Sequence, residues 1–329
     1  MSNQVFVTGA TGFIGSNLVR LLLDCGHQVR VLVRPGSRLD NLENLAVEII
    51  RGDLTDGDHL TNHLHGCEVL FHVAAHYSLW QSDRKRLFQD NVIGTRTILA
   101  AAKTAKVERT VYTSSVAAIG VRQSGIADET YQSPVDQLVG QYKKSKYWAE
   151  QEAVKAVQSG QNVVIVNPTT PIGPWDIKPT PTGEIILRFL RRQMPAYMDT
   201  GLNLVDVRDV AMGHILAWQR GQTGQRYILG HENLSLQQIL QLLADLTGYP
   251  VPRYRLPTWV PFTAAWVDEY LLSPLGKKPS VPLDGVRMAT QKMFYHSHKA
   301  VEEIGLPQTP IPIALKDAID WFAEHGYLV

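Results

Sequence analysis

Val5-Phe6-Val7-Thr8-Gly9-Ala10-Thr11-Gly12-Phe13-Ile14-Gly15 is the stretch on which the fold of this chain turns. Val5 to Thr8, apolar and largely β-branched without polar alternation, predicts a strand buried on both faces. Glycines follow at once at 9, 12 and 15 and open an amphipathic pattern, Ile14 to Asp24, that Gly26 stops. Strand, tight turn and helix in that order bring backbone N–H groups and the positive end of a helix dipole to one point, where a pyrophosphate can sit. An isolated glycine triplet marks only a turn; its place inside a strand-turn-helix unit gives it meaning. Thr8 and Thr11 offer further hydroxyls.

The pattern repeats outward. Apolar runs at Val29 to Val33, Val47 to Arg51, Val69 to Ala74, Thr110 to Ser114 and Val163 to Asn167 predict further strands. Helical patterns separate them at His59 to Leu64, Asn91 to Lys103 and Tyr142 to Gln158, the last stopping at Gly160. This alternation predicts an α/β fold, a doubly wound parallel Rossmann sheet with a smaller, mostly C-terminal substrate lobe. Pro168, Pro171, Pro174, Pro179 and Pro181 then predict a long ordered loop, since proline suits neither helix interior nor central strand. Beyond it come a helix near Glu184 to Gln193, a motif at Asn203 to Ala211, a strand at Arg226 to Leu229, a helix from Ser235, its N-cap, to Gly248, and a last helix around Ile313 to His325. The expected division is 1–170 as the NADP-binding domain, with 203–230 returning to it, and 171–202 plus 231–329 as the smaller lobe.

Composition narrows the partners. In 329 residues, 32 Lys and Arg balance 31 Asp and Glu, so no global basic field exists to hold nucleic acid. A hydrophobic content of 44% supplies a sizeable core and excludes disorder for the bulk of the chain. Two cysteines, Cys25 and Cys67, make neither a disulfide framework nor a zinc site and suit the cytoplasm. The N-terminal run lacks a signal peptide's basic start and apolar stretch, and no segment reaches the roughly 18 apolar residues of a membrane span; peripheral membrane contact stays open. The eleven histidines form no spacing such as HExxH, and no metal is expected.

The second strand ends in Val33-Arg34-Pro35-Gly36-Ser37-Arg38, with no carboxylate until Asp40. A carboxylate at this place binds the ribose 2′-hydroxyl of NAD. Against a 2′-phosphate about 4 Å away it would be opposed by roughly 4 kcal/mol per unit charge at an effective dielectric of about 20, and arginine reverses that sign. Arg34 and Arg38 therefore predict NADP (NADPH), with NAD as the alternative. Asp53, in Gly52-Asp53-Leu54 after the third strand, can accept from the adenine amino group or simply cap the next helix. Ala74 and Ala75 end the fourth strand with side chains small enough for a dinucleotide to lie against the sheet edge.

Tyr142-Lys143-Lys144-Ser145-Lys146 opens a helix and places Tyr142 and Lys146 on one face. A phenol with an ordinary pKa of about 10 is a poor acid or base near neutrality, and a fixed ammonium beside it favours the phenolate. Lys146 can also donate to the nicotinamide ribose. Thr113-Ser114-Ser115 ends the preceding strand, so these groups meet at the carboxyl edge of the sheet, with Ser115 expected to bind the substrate oxygen and Ser114 as the alternative.

With these residues the chain resembles the extended short-chain dehydrogenase/reductase superfamily over nearly its whole length. The matching stretches are Thr8 to Gly15, Gly52 to Leu54, Asn91-Val92-Ile93-Gly94-Thr95, Tyr112 to Ser115, Tyr142 to Lys146, Asn167 to Pro174 and Leu204 to Ala211. It is similar in particular to the dihydroflavonol-4-reductase-like branch. Asp176 to Gly183 and Asp199 to Leu204 look most like bacterial hopanoid-associated sugar epimerases. The resemblance implies a triad of Ser115, Tyr142 and Lys146, a cofactor held by Gly9, Thr11, Gly12, Phe13, Ile14, Gly15, Leu54 and Thr113, Asn91 shaping the active-site helix, and Pro168 and Thr169 at the nicotinamide end. Where many sugar-nucleotide epimerases have Tyr-Gly after the catalytic serine, this chain has Ile119-Gly120, and Arg34 replaces their acidic residue. Both departures favour a reductase acting on a carbonyl or sugar-like small molecule over an epimerase or dehydratase, with a non-catalytic dinucleotide sensor as a third reading.

Substrate contacts are expected from His76, Tyr77 and Trp80, from Asp128 and Glu129, and from Asp176 and Lys178 in the proline-rich loop. The apolar run Trp259 to Val267 reads as helix packing or as a hydrophobic lid, and the helices at Asn91 to Lys103 and Tyr142 to Gln158 would suit a homodimer.

Overall fold

The computed structural model describes residues 3–122, 125–257, 259, 263 and 283–328; the run Trp259 to Val267 therefore lies almost wholly outside the described residues. Its first half builds β1 (Gln4–Thr8), α1 (Phe13–Asp24), β2 (Gln28–Val33), β3 (Val47–Arg51), α2 (Gly57–Leu64) and β4 (Val69–His72). A continuous helix follows, α3 (Arg84–Leu87) and α4 (Gly94–Thr104) joined by a π-helical turn at Phe88–Ile93. Then come β5 (Arg109–Thr113), the short α5 (Val116–Ile119), α6 (Gly140–Gln158) and β6 (Val163–Pro168).

The chain continues through β7 (Thr170–Ile172), α7 (Pro181–Leu190), β8 (Ala196–Met198), β9 (Gly201–Asp206), α8 (Val207–Arg220), β10 (Arg226–Leu229), β11 (Glu232–Ser235), α9 (Leu236–Thr247), β12 (Tyr254–Leu256), a helix at Leu283–Ala289, β13 (Lys292–Met293) and a last helix at Ile311–Glu324. The seven-stranded sheet is parallel throughout, in the order β10-β6-β5-β4-β1-β2-β3. This is a doubly wound α/β sheet, and its order reverses beside β1, the position at which such sheets open a crevice for ligands.

Alternation along β1 explains why its sequence is apolar on both faces. Val5 and Val7 join a core with Leu18, Val31, Val166 and Val210, while Phe6 joins the opposite core with Leu60, Leu70 and Ile98. A third core, built from Ile186, Leu204, Leu240, Leu315 and Phe322, holds the second unit together. There β9 is central: it pairs antiparallel with β11 and parallel with β7 and β13. Residues 203–206 thus belong to this second sheet, whereas α8 packs on α1 and β10 forms the edge of the first.

The proline-rich stretch is more regular than its composition predicts. Pro171 sits in β7, whose one strand partner among the described residues is β9, and an edge strand can dispense with the N–H that proline lacks. Pro181 starts α7, where Thr180 caps the Gly183 N–H and proline's missing donor costs nothing. Ser235 is the N-cap expected of α9 and forms a full capping box with Gln238. Among the described residues, no helix is long and apolar enough to cross a membrane.

Candidate functional site

The glycine loop is shaped by distances that tolerate no side chain. A Cβ on Gly15 would stand 2.1 Å from the Gly9 carbonyl oxygen, and Gly9 itself, at φ +74°, presses against the Ala74 backbone, where a Cβ would meet the nitrogen at 2.6 Å. The helix α1 starts at Gly12 with no side-chain cap and no acidic residue in its first turn, so its N–H end faces outward uncompensated. Such a cradle fits a pyrophosphate, with Thr11, Phe13 and Ile14 on the same turn. The Thr8 hydroxyl is engaged within the fold: it bonds the His72 ring at 2.8 Å and accepts from the Ala74 N–H, tying β1 to β4.

At the other side of the sheet edge stand Ser115, Tyr142 and Lys146. Ser115 caps α5, its Oγ accepting from the Ala117 N–H at 3.1 Å, and its carbonyl is held by the Asn167 side chain. Asn91 fixes the helix that carries Tyr142. Its amide donates to the His76 carbonyl and to Ser145 Oγ, its oxygen accepts from the His76 N–H at 2.6 Å, and Ser145 Oγ donates to the Tyr142 carbonyl. The π-helical turn is what aims Asn91 in this way, in keeping with the use of such turns at functional sites.

Lys146 is 2% exposed and donates to the Thr113 carbonyl at 2.9 Å. Burial lowers its pKa to about 8 against the pull of Glu150. Burial likewise pushes the Tyr142 phenol up to about 12, although a hydrogen bond with Ser115 favours its ionised form. Enclosure thus works against the ionised phenol that a neighbouring ammonium favours. Desolvation penalises the charged form of each group, raising the phenol and lowering the amine, which at about 8 still carries its proton near neutrality. A protonated phenol near neutrality is the state of an acid.

The remaining residues fall into two sets. Tyr77, 44% exposed, sets its ring edge-on to that of Tyr142, with centroids 4.7 Å apart, and His76 lies nearby on the same loop, with Trp80 further along it. Asp53 is exposed beyond β3, with Oδ1 engaged by Thr55, while Asp56 caps α2. Leu54 lies against Gly94 of α4, and Ala75 is exposed beside Ala74. Arg34 pairs with Asp90 at 3.2 Å, and Arg38 bonds Asp40 at 2.6 Å. Thr113 turns its hydroxyl into the fold, onto His214 Nε2. Thr169 follows Pro168 and bonds the Leu229 carbonyl.

Asp128, Glu129 and Asp176 are engaged elsewhere. Glu129 accepts from the Ile228 N–H at 2.8 Å, supplying the outer edge of β10 with the acceptor an edge strand lacks, and Asp128 closes a turn with Thr130. Both line a separate cavity of about 500 Å³ with Arg226, His296 and Lys299. Asp176 is 2% exposed, accepts from Thr180 N and Oγ1, and has its pKa raised to about 6 by burial; it anchors the start of α7, next to exposed Lys178. Sequence reasoning missed Arg86 and Asp90. Their i, i+4 spacing just before Asn91 was the available signal.

The model of the NAD-dependent epimerase/dehydratase family matches residues 5–230. The chain belongs to this family of NAD(P)-dependent enzymes, in the dihydroflavonol-reductase-like branch of the extended short-chain dehydrogenases/reductases. It is 65% identical over 333 residues, covering 100% of this chain and 97% of the relative, to a protein of Synechocystis sp. provisionally named dihydroflavonol 4-reductase. It is 36% identical to sterol demethylase protein B of Methylococcus capsulatus, covering 98% of this chain and 99% of that one. Among solved structures, gox2253 matches with a TM-score of 0.89 at 44% identity over 100% of both chains.

Proposed function

We propose that this protein is an NADPH-dependent carbonyl reductase. The observation that carries the reading is a half-buried Tyr142 in hydrogen-bond reach of Ser115 and one helical turn before buried Lys146, at the carboxyl edge of the sheet. The cofactor, when bound, supplies hydride to the carbonyl carbon. Tyr142 gives its proton to the carbonyl oxygen, Ser115 Oγ holds that oxygen by hydrogen bonding, and Lys146 donates to the nicotinamide ribose and steadies the phenol as it loses its proton. The cradle at Gly9 to Gly15 would hold the pyrophosphate, and Arg34 and Arg38 the adenosine end. Arg34 in place of a carboxylate favours NADPH over NADH. Tyr77 against the Tyr142 ring supports a substrate with a flat, apolar body next to its carbonyl, such as a dihydroflavonol-like ketone, and the name of the Synechocystis relative agrees.

The test is net consumption of NADPH, followed by loss of its absorbance against a panel of such ketones. One NADPH oxidised per alcohol formed supports the reading. A tightly held NAD that is never consumed while a sugar nucleotide epimerises overturns it.

A further inference from the structure

Asp90 presents one oxygen, Oδ2, to three nitrogens: Arg34 Nη1 at 3.2 Å, His76 Nδ1 at 3.5 Å and Arg86 Nε at 3.6 Å. Arg34 follows β2 and His76 lies just beyond β4, and these are the two strands that flank β1. The cluster therefore joins both sides of the glycine loop, at the edge where the dinucleotide would lie. Arg86 is one helical turn before Asp90, so the two share a face of the helix running from Arg84 to Thr104. Burial holds the His76 pKa below its ordinary value despite Asp90, leaving the cluster with two guanidinium charges and one carboxylate near neutrality.

We propose that Arg34 and Arg86 form a two-guanidinium clamp for the 2′-phosphate of NADP, and that Asp90 is the resident counter-anion that limits how strongly the clamp discriminates against NAD. This inference rests on the NADPH reading above. Guanidinium forks suit phosphate oxygens, and a single carboxylate oxygen facing several such donors occupies the position a phosphate oxygen would take. A phosphate carrying nearly two charges gains more from the pair than the carboxylate does, yet the Asp90 carboxylate repels the incoming group. The Arg34 and Arg86 side chains are 49% and 64% exposed, so each contribution is screened and modest.

The test is titration of the full-length protein with NADPH and with NADH by calorimetry, in wild type, Asp90→Asn and Arg86→Gln. Asp90→Asn should tighten NADPH about fivefold and Arg86→Gln should loosen it about threefold, with NADH unchanged in both. Asp90→Asn with NADPH weakened or unchanged overturns the counter-anion role. Arg86→Gln without effect on NADPH overturns the clamp. Arg86 is exposed, so that variant carries the test even if Asp90→Asn folds poorly. Wild-type protein binding NADPH and NADH equally tightly overturns the NADPH reading and the clamp together, whereas a wild-type preference that neither variant alters overturns the clamp alone.

Discussion

At one end of the candidate site Lys146 is 2% exposed and Tyr142 packs against Tyr77; at the other, the Arg34 side chain is 49% exposed and that of Arg38 81%. Both ends hold charged or ionisable groups in contact with partners, and at the enclosed end desolvation moves titrations far, the phenol to about 12 and the amine to about 8. Burial sets the size of an electrostatic effect here more than the number of charges does. Proton chemistry belongs where water is excluded and each group is held by a single geometry. Selection of the adenosine end can rest on screened arginines, since a few-fold preference adds up across several contacts.

The largest expected effect on stability tests burial directly. Lys143 is 2% exposed beside Tyr142, and burial lowers its pKa from 10.5 to about 8. The unfolded chain then holds this proton more tightly than the folded one, so stability rises as pH climbs from about 8 towards 10.5. Lys143→Met should raise unfolding free energy at pH 7 by about 3 kcal/mol and remove part of that rise, leaving the Lys146 share, as read by denaturant melts across pH.

Next in size is the pH profile of reduction. If Lys146 must be an ammonium, kcat/KM falls about tenfold per unit as pH rises past 8, and Lys146→Arg, which stays charged, shows no such fall whatever its absolute rate. A flat wild-type profile to pH 10 would remove the ammonium from the mechanism. The smallest effect lies at the exposed end: Arg34→Ser should weaken NADPH about fivefold in a binding titration and leave NADH unchanged. An equal loss for both cofactors would instead make Arg34 a prop for the loop after β2.

The same contrast explains what could be read from the chain. Strands β1 to β6 were legible to within a few residues, because burial on both faces forces apolar runs, and α1 and α6 run into glycine stops at Gly26 and Gly160. The smaller sheets were not: β7 and β13 of the second sheet, and β8 and β12, which pair with each other apart from it, are two or three residues long, shorter than any periodicity can show. That Ser115, Tyr142 and Lys146 lie at one sheet edge was legible because strand ends and helix spacing place them. The raised Tyr142 pKa was not, since burial is a property of the assembled fold and no local spacing reports it. Asp128, Glu129 and Asp176 look like substrate ligands in a linear reading, but a carboxylate on a loop serves equally well to satisfy a strand edge or a helix start. Asp90 became visible only through the three nitrogens that other elements bring to it.

The most direct test is pre-steady-state hydride transfer from NADPH to a ketone that the wild-type protein reduces, compared with Tyr142→Phe at saturating cofactor. With Tyr142 as proton donor, the variant should bind NADPH as tightly as wild type while the transfer rate falls on the order of a thousandfold. A variant that transfers hydride at the wild-type rate would contradict the assignment of Tyr142 as the acid, and with it the reductase mechanism built on that residue.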